Sequence, residues 1–525
     1  MDPKNIRPDL NEVITRHKST LDEKRPEAVA RRCKTGQRTI RENIADLLDP
    51  DKSIEFGSLA LAAQRRRKSM DKLIQSTPAD GLVAKIGSIN GHLFDPSESR
   101  CLVIGYDYTV LAGTQGWFNH HKKDRMLELA YKQKLPTVLF AEGGGGRPGD
   151  VDLGDIIVAG LDVMAFSHYA RLSGLVPIIG IVSGYCFAGN AALLGQSDVI
   201  IATKNSYIGM AGPAMIEGGG LGVFKPEEVG PISVQSPNGV VDIVVEDDVE
   251  AVQKAKQYLS YFQGNLADWK CRDQRLLRPL VPEKRRRAYD VRKIIEILAD
   301  EMSVLELRQE FGAGVVTALV RIEGHPFGLI ANNVFHLGGA IDSDAADKVS
   351  RFIQLCDAFD LPLMILIDTP GFMVGPQAEK TAQVRHFCRI FTNAVNATIP
   401  IFSVVLRKGY GLGAMAMAGG SFHNSNFIVS WPSGEFGGMG LEGAVRLGFK
   451  KELDAIEDPD EREKLFQDLV AIHYEHGKAI NMASVLEIDD VIDPAETRHW
   501  LMCGLRSQPK PEPRKGKKRP NIDCW

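Results

Sequence analysis

The chain has no Cys-x-x-Cys pair, although it holds eight cysteines, at positions 33, 101, 186, 271, 356, 388, 503 and 524. That argues against a zinc ribbon. Their scatter through 525 residues implies reduced, mostly buried thiols. No Gly-x-x-x-x-Gly-Lys-Ser/Thr loop occurs, which excludes a P-loop. Histidine is scarce, at 12 residues, and forms no His-Glu-x-x-His pair, so no metal site is expected. An excess of one charge is also missing. Lys and Arg number 63 against 67 Asp and Glu, a formal net charge of −4, and nucleic acid is not expected as a partner. The first residues, MDPKNIRPDLNEVITRHK, lack both an apolar signal core and the acid-poor composition of a transit segment. One uncharged run, residues 174–195, is long enough to span a bilayer. Pro177 and five glycines break it, so it reads as a buried strand, a tight turn and a buried helix. The expectation is a cytoplasmic protein with no membrane insertion.

What the chain does have is glycine, 51 residues, and a plan written twice. Residues 80–94 read DGLVAKIGSINGHLF and residues 313–327 read AGVVTALVRIEGHPF. Without a gap, Gly81 meets Gly314, Gly91 meets Gly324, His92 meets His325 and Phe94 meets Phe327. Past an extra loop near 96–100, Gly113 pairs with Gly338, Leu135-Pro136 with Leu361-Pro362, and Gly184-Tyr185 with Gly409-Tyr410. The organisation that follows is a charged, helix-like segment (1–75), a first repeat domain (76–265), a linker (266–300), a second repeat domain (301–507) and a tail (508–525). The linker is rich in Arg and Pro over 270–289. The tail has four prolines and six Lys or Arg against two acids, and is expected to form an extended arm.

Each repeat follows one grammar. An apolar strand (137–141; 363–367) runs into a Gly-rich turn and a helix (162–172; 383–395). A second strand (176–182; 399–406) ends in another Gly-rich turn that opens a helix (188–194; 413–418). A third strand (198–202; 426–430) closes the unit. Alternating helices and continuous apolar strands predict an α/β fold with mainly parallel sheets. The turns read EGGGGR (142–147) and GYCFAGNA (184–191) in the first half, and DTPGF (368–372) and GYGLGAMA (409–416) in the second. Free backbone N–H groups beside a helix start suit a developing oxyanion, and a side chain there would block the approach.

These residues resemble the crotonase superfold, and more specifically the carboxyltransferase (β-type) subunit of biotin-dependent acyl-CoA carboxylases. The segments that carry the resemblance span almost the whole chain: TGQRTIRENIADLLDP (35–50), GYCFAGNA, VVTALVRIEGHPFGLIANN (315–333), CDAFDLPLMILIDTPGF (356–372), LRKGYGLGAMAM (406–417) and WPSGEFGGMG (431–440). The resemblance implies two tandem crotonase-like domains related by duplication. It implies carboxybiotin as cofactor, borne by a biotin carboxylase/biotin carboxyl carrier subunit or domain, and a coenzyme A thioester as substrate. It also implies a homo-oligomer, a hexamer, with acyl-CoA on the first half of one subunit and biotin on the second half of another. Because carboxybiotin supplies the base, no protein general base is required.

By position in the family pattern, Ala188 and Gly189, with Gly145 or Gly146, carry over as donors to the acyl thioester. Gly413 and Ala414, with Gly371 or Phe372, carry over as donors on the biotin side. An alignment shift of one brings in Leu412. Gly184, Tyr410, Gly411 and Met415 carry over as substrate-binding positions. The region of Met415 helps select acyl-chain length in relatives. The first half departs from the family, with Gly143–Arg147 in place of a Ser-Gly-Gly-Ala-Arg turn and Asn190 in place of a small apolar residue, so an atypical acyl pocket is expected. The chain contains no Ala-Met-Lys-Met biotin acceptor and no ATP-grasp domain, so partners must supply both functions.

Rival readings are a crotonase-type hydratase or isomerase, a biotin-dependent acyl-CoA decarboxylase subunit, and a non-catalytic scaffold subunit. Hydratases of the fold place a glutamate where this chain has Ala192 and Met417, which removes one acid/base group from the first rival. Other marked residues stay open between two roles. Residues 65–68 suit either CoA phosphates or a solvated helix face. Arg407 and Lys408 suit either a ligand or a salt bridge. Glu435 suits either a ligand or a loop hydrogen bond.

Overall fold

The computed structural model describes residues 6–152, 160–509, 514 and 516–525. It divides into two compact units, Met1–Gln263 with Gly516–Cys524, and Gly264–Lys515 with Trp525. Each unit is built on one sheet, of seven strands in the first and eight in the second, and seven strands of the second repeat the strand order of the first, with Glu435–Gly437 as a side branch on Ile401–Tyr410. In the first, the order is Ile54–Glu55, Leu82–Ser88, Arg100–Tyr106, Thr137–Phe140, Ile178–Val182, Val199–Thr203 and Ile243–Val245. In the second it is Leu305–Leu307, Val315–Ile322, His325–Asn332, Leu363–Thr369, Ile401–Tyr410, Phe427–Ser430 and Asp490–Val491. In both, the first two pairings are antiparallel and the remaining four parallel. Leu102 faces Thr137 in one sheet as Gly328 faces Leu363 in the other.

The central strands are buried along their whole length, as parallel strands covered on both faces must be. Apolar residues run through them without alternation for that reason. Leu82, Ile104, Leu139, Ile178 and Leu194 belong to the core of the first unit. Leu329, Leu366, Val404 and Trp431 belong to that of the second. Residues 266–300 contain the helix Val291–Leu298, capped by the Asp290 carboxylate, and its Ile294, Ile295 and Leu298 are part of the second core.

Several boundaries differ from the sequence reading. The helix expected over 162–172 is shorter, Ala165–Ala170. The strand expected over 176–182 begins at Ile178, just past Pro177, which has no N–H to donate. In the second half that strand continues four residues beyond Leu406 to Tyr410, because Lys408–Tyr410 pair with Glu435–Gly437. Its helix then starts at Gly411 instead of Gly413. Residues 65–67 lie in an exposed turn, not on a helix face, and the backbone N–H groups of Arg65 and Arg66 donate to the Asp152 carboxylate. Where composition suggests a free arm, Ile522 is buried and its N–H donates to Ser173 Oγ at 2.9 Å. The tail residues 510–513 and 515 lie outside the described residues. No helix among the described residues is long and apolar enough to cross a membrane.

Candidate active site

In the first unit the turn at Glu142–Arg147 leaves the strand Thr137–Phe140 and is laced to two neighbours. Gly143 bridges Cys186, and Gly146 bridges Gln115. The Gly143 N–H donates to Tyr185 O at 2.7 Å, the Gln115 N–H to Gly145 O at 2.8 Å and the Arg147 N–H to Gln115 O at 2.8 Å. The Gly145 N–H donates to Asn190 Oδ1 at 3.1 Å. This leaves the amides of Gly144 and Gly146 without an internal acceptor among the described residues, and both glycines are exposed. The second turn delivers the helix Gly189–Leu194, whose first internal bond runs from Ala192 N to Ala188 O. The N–H groups of Gly189, Asn190 and Ala191 therefore have no partner within the helix. A Cβ on Gly145 would sit 2.7 Å from Ala188 Cβ and 3.7 Å from Gly189 N, so the two turns touch.

The second unit repeats the arrangement. Thr369 bridges Gly409 and Phe372 bridges Ile341. The Ile341 N–H donates to Gly371 O at 3.1 Å and the Met373 N–H to Ile341 O at 2.8 Å, the same pair of bonds that flanks Gly146. The Gly371 N–H is taken by Thr369 Oγ1 at 3.1 Å, while that of Phe372 has no internal acceptor among the described residues. The helix Gly411–Met417 abuts this turn so closely that a Cβ on Gly413 would lie 2.7 Å from Gly371 Cα. The Phe372 ring is held by stacking on Phe387 at 3.8 Å.

The correspondence between the halves differs from the sequence pairing at two points. Gly113 matches Gly339, not Gly338. Each has positive φ, and a Cβ on either would strike the carbonyl at the head of the first turn, Glu142 O or Asp368 O. At the second turn, Cys186 and not Gly184 takes the place of Gly409, since these residues bridge Gly143 and Thr369. Ala188 then matches Gly411, and both have φ in the left-handed region, 53° and 57°. Gly189 matches Leu412, and Asn190 matches Gly413.

Two positions assigned from sequence change character as a result. The Ala188 N–H is already donated to Gly209 O at 3.1 Å. Ala414 is the fourth residue of its helix, where the first helical bond takes up the amide. At matching positions the available donors are instead Gly146, Gly189 and Asn190 in the first half, and Phe372, Leu412 and Gly413 in the second. Gly184 lies behind the first turn, where a Cβ would meet Glu142 Oε1 at 2.5 Å. Tyr410 is buried, and its hydroxyl donates to Glu435 Oε2 at 2.9 Å. Burial, reinforced by Glu435, pushes the Tyr410 hydroxyl far above the ordinary tyrosine value. Glu435 is also paired with Arg285 at 3.0 Å, so it is a loop anchor.

A buried acid stands at the head of the first turn in each half. Glu142 accepts from both terminal nitrogens of Arg32 at 2.7 and 2.6 Å, and burial pushes its carboxyl up to about 7 despite that partner. Asp368 accepts from Arg407 Nε at 3.1 Å, Lys408 Nζ at 3.0 Å and the Tyr289 hydroxyl at 2.8 Å. Arg407 and Lys408 thus hold the turn. Arg147, just past the turn in the first half, is buried against Asp80 Oδ1 at 2.5 Å and Thr114 O at 2.9 Å. The sequence reading missed Arg32, Asp80 and Tyr289, because each is brought to the turn from a distant segment.

Asn190 is fully buried beneath the first-half turn. Its Nδ2 donates to Glu142 O at 3.0 Å and to Gly113 O at 3.3 Å. In the second unit a cavity of about 590 Å³ opens beside Gly409 and Gly411, with Met415, Phe422, Phe436, Leu441, Ala444 and Met482 on its apolar side and Ser421, His423, His473, His476 and Glu487 also on its lining.

Residues 31–522 match the family model described as the carboxyl transferase domain. A solved structure of a single-chain, multi-domain long-chain acyl-CoA carboxylase superposes with a TM-score of 0.90 at 58% identity. The match covers 95% of this chain and 49% of that one, so this chain spans about half its length. The transcarboxylase 12S hexamer, solved with methylmalonyl-coenzyme A bound, matches with a TM-score of 0.82 at 28% identity over 99% of both chains. The biotin-dependent long chain acyl-coenzyme A carboxylase beta4 subunit of Mycobacterium tuberculosis is 30% identical over 90% of this chain and 89% of its own length.

Proposed function

Because the chain belongs to the carboxyl transferase domain family, we propose that its two matched pairs of turns are two oxyanion holes, one for each half of a carboxyl transfer. The chain is the carboxyltransferase component of a biotin-dependent acyl-CoA carboxylase. The observation that carries the two-hole reading is the repeated geometry. Each half presents unpaired backbone N–H groups from a strand-end turn next to unpaired N–H groups from the first turn of a helix. A side chain at Gly145 or Gly413 would strike the other turn and push the two sets of donors apart.

Carboxybiotin, bound from a partner subunit or domain, supplies the CO2 and the base. The chain itself holds charge as it develops on oxygen. Gly146, Gly189 and Asn190 donate to the thioester oxygen, and Phe372, Leu412 and Gly413 donate on the biotin side. Fixed dipoles at helix starts need no reorganisation when the charge appears. The assembly is a hexamer in which a first half works with the second half of another subunit, in the cytoplasm. Incubating the purified complex with ATP, labelled bicarbonate and a panel of acyl-CoAs tests this. Label must enter an acyl-CoA, and must do so only when the biotin-bearing partner is present.

The acyl group is a long apolar chain. The cavity beside Met415 supports this, as does the likeness to a long-chain enzyme. Met415→Asp sets a carboxylate against that apolar wall. It is expected to lower kcat/KM for long-chain substrates at least about tenfold relative to short ones, because an apolar chain packed against Met415 would strip water from the new carboxylate. An unchanged chain-length profile would remove the cavity from substrate selection. The chain by itself is expected to carry no covalent biotin, so an avidin blot of the purified chain stays blank. Signal at its mass would contradict the division of labour.

A further inference from the structure

Lys123 is 1% exposed, and a lysine is seldom buried so deeply without a carboxylate partner. Its ammonium donates to the Tyr106 hydroxyl and to Gln115 Oε1, both at 2.8 Å. Gln115 Nε2 in turn donates to Asn190 Oδ1 at 3.1 Å, and that same oxygen accepts the Gly145 N–H. Asn190 completes its bonding by donating to Glu142 O and Gly113 O. The direction of every bond follows from the first. A cation can only donate, so Gln115 must turn its oxygen to Lys123 and its nitrogen to Asn190. Asn190 must then turn its oxygen to Gly145. The chain of bonds ends on the residue before Gly146, at the acyl-side hole.

At the matching positions the second unit has none of these groups. The matching bridges and helix starts place Ile341 where Gln115 stands, Val349 where Lys123 stands, and Gly413 where Asn190 stands. The relay therefore belongs to one hole alone. A cost is visible too. Burial lowers the Lys123 ammonium to about 7, and Arg147 adds to that while Asp124 and Asp80 oppose it. His120, on the same helix, is driven down to about 3 by its own burial and then by Lys123.

We propose that Lys123 is a positioning residue for the acyl half-reaction, acting through Gln115 and Asn190 to lock the Gly145–Gly146 turn in its donating geometry. This rests on the carboxyltransferase reading above.

The test uses the full chain in its complex. It measures kcat/KM for acyl-CoA and, separately, breakdown of the carboxylated carrier without acyl-CoA, from pH 6 to 9. Lys123→Met is expected to lower the first about tenfold to a hundredfold, as loosened positioning does, and to leave the second unchanged. Gln115→Met cuts the same relay one link later, so the double variant should be no worse than either single one. In the wild type the acyl-dependent rate should fall relative to carrier breakdown as pH rises through about 7 and the charge on Lys123 is lost. Lys123→Arg stays charged and should abolish that fall. A fall that persists in Lys123→Arg would trace to another group, such as Glu142, and overturn the proposal. Equal loss of both partial reactions, or strictly additive effects of the two methionine variants, would overturn it as well. If the wild-type complex carboxylates no acyl-CoA at all, the functional reading fails and this inference with it.

Discussion

Gly413→Val is expected to abolish turnover from carboxybiotin while sparing the binding of acyl-CoA. A Cβ at this position would lie 2.7 Å from Gly371 Cα and carbonyl carbon and 3.0 Å from Phe372 N. These are backbone atoms of a turn held by its bonds to Ile341 and Thr369, so they cannot step aside. The turn and the helix start must separate, and the Phe372 and Gly413 amides no longer converge on one oxygen. Loss of a single hole donor costs about 10²–10³ in rate, and this substitution displaces more than one. Gly189→Val is the counterpart in the first half. Its Cβ would press on the Gln115 side chain at 3.1–3.4 Å, which is pinned between Lys123 and Asn190. It should block the acyl thioester and leave slow, substrate-independent breakdown of carboxybiotin intact. Partial-reaction assays on correctly assembled complexes read both outcomes. Equal loss of acyl-CoA binding in the two variants would refute the specialisation of the halves.

Arg147→Met should be the most destabilising single change near the acyl-side turn. The Arg147 side chain is 4% exposed and that of Asp80 is 0% exposed. Removing the guanidinium strands a buried carboxylate and takes a donor from Thr114 O. Breaking a buried pair from one side costs about 3–5 kcal/mol. Adding Asp80→Asn should recover part of that loss by removing the charge. Asparagine tolerates the left-handed backbone that Asp80 adopts, at φ 49°. Denaturant unfolding of the intact protein reads the difference. A loss below about 1 kcal/mol in the single variant would mean that solvent screens this pair, as at an exposed site.

Much of the fold was legible because the duplication was. Apolar runs such as residues 363–367 could only be strands buried on both faces, and repeating them in order with glycine turns specified parallel sheets. The turns themselves were visible as glycine clusters. Their register was not. Gly184-Tyr185 and Gly409-Tyr410 look alike as letters, yet the second half extends its strand through Tyr410 by pairing with Glu435–Gly437, and in the first half a separate short strand, Tyr185–Phe187, pairs with Tyr207–Gly209. Strand pairing with a distant segment decides that, and a local pattern does not carry it. The same limit hid the supports of the turns. Arg32 reaches Glu142 across 110 positions and Tyr289 reaches Asp368 across 79. Asn190 stood out in the sequence as a departure from the family, but its role as a buried strut emerges only once Gln115 and Lys123 are beside it.

The central claim is that each half performs one half-reaction and that a working site takes its halves from two subunits. Co-assembling Gly189→Val and Gly413→Val subunits into one complex tests it most directly. Every subunit in the mixture then carries one damaged half, so a site built within a single subunit stays dead. A site shared between subunits is whole wherever an intact first half meets an intact second half, which random mixing gives about a quarter of the time. The account predicts that two inactive variants recover carboxylation to about that fraction of the wild-type rate. Mixed complexes, verified by native mass, that remain as inactive as the parents would contradict it.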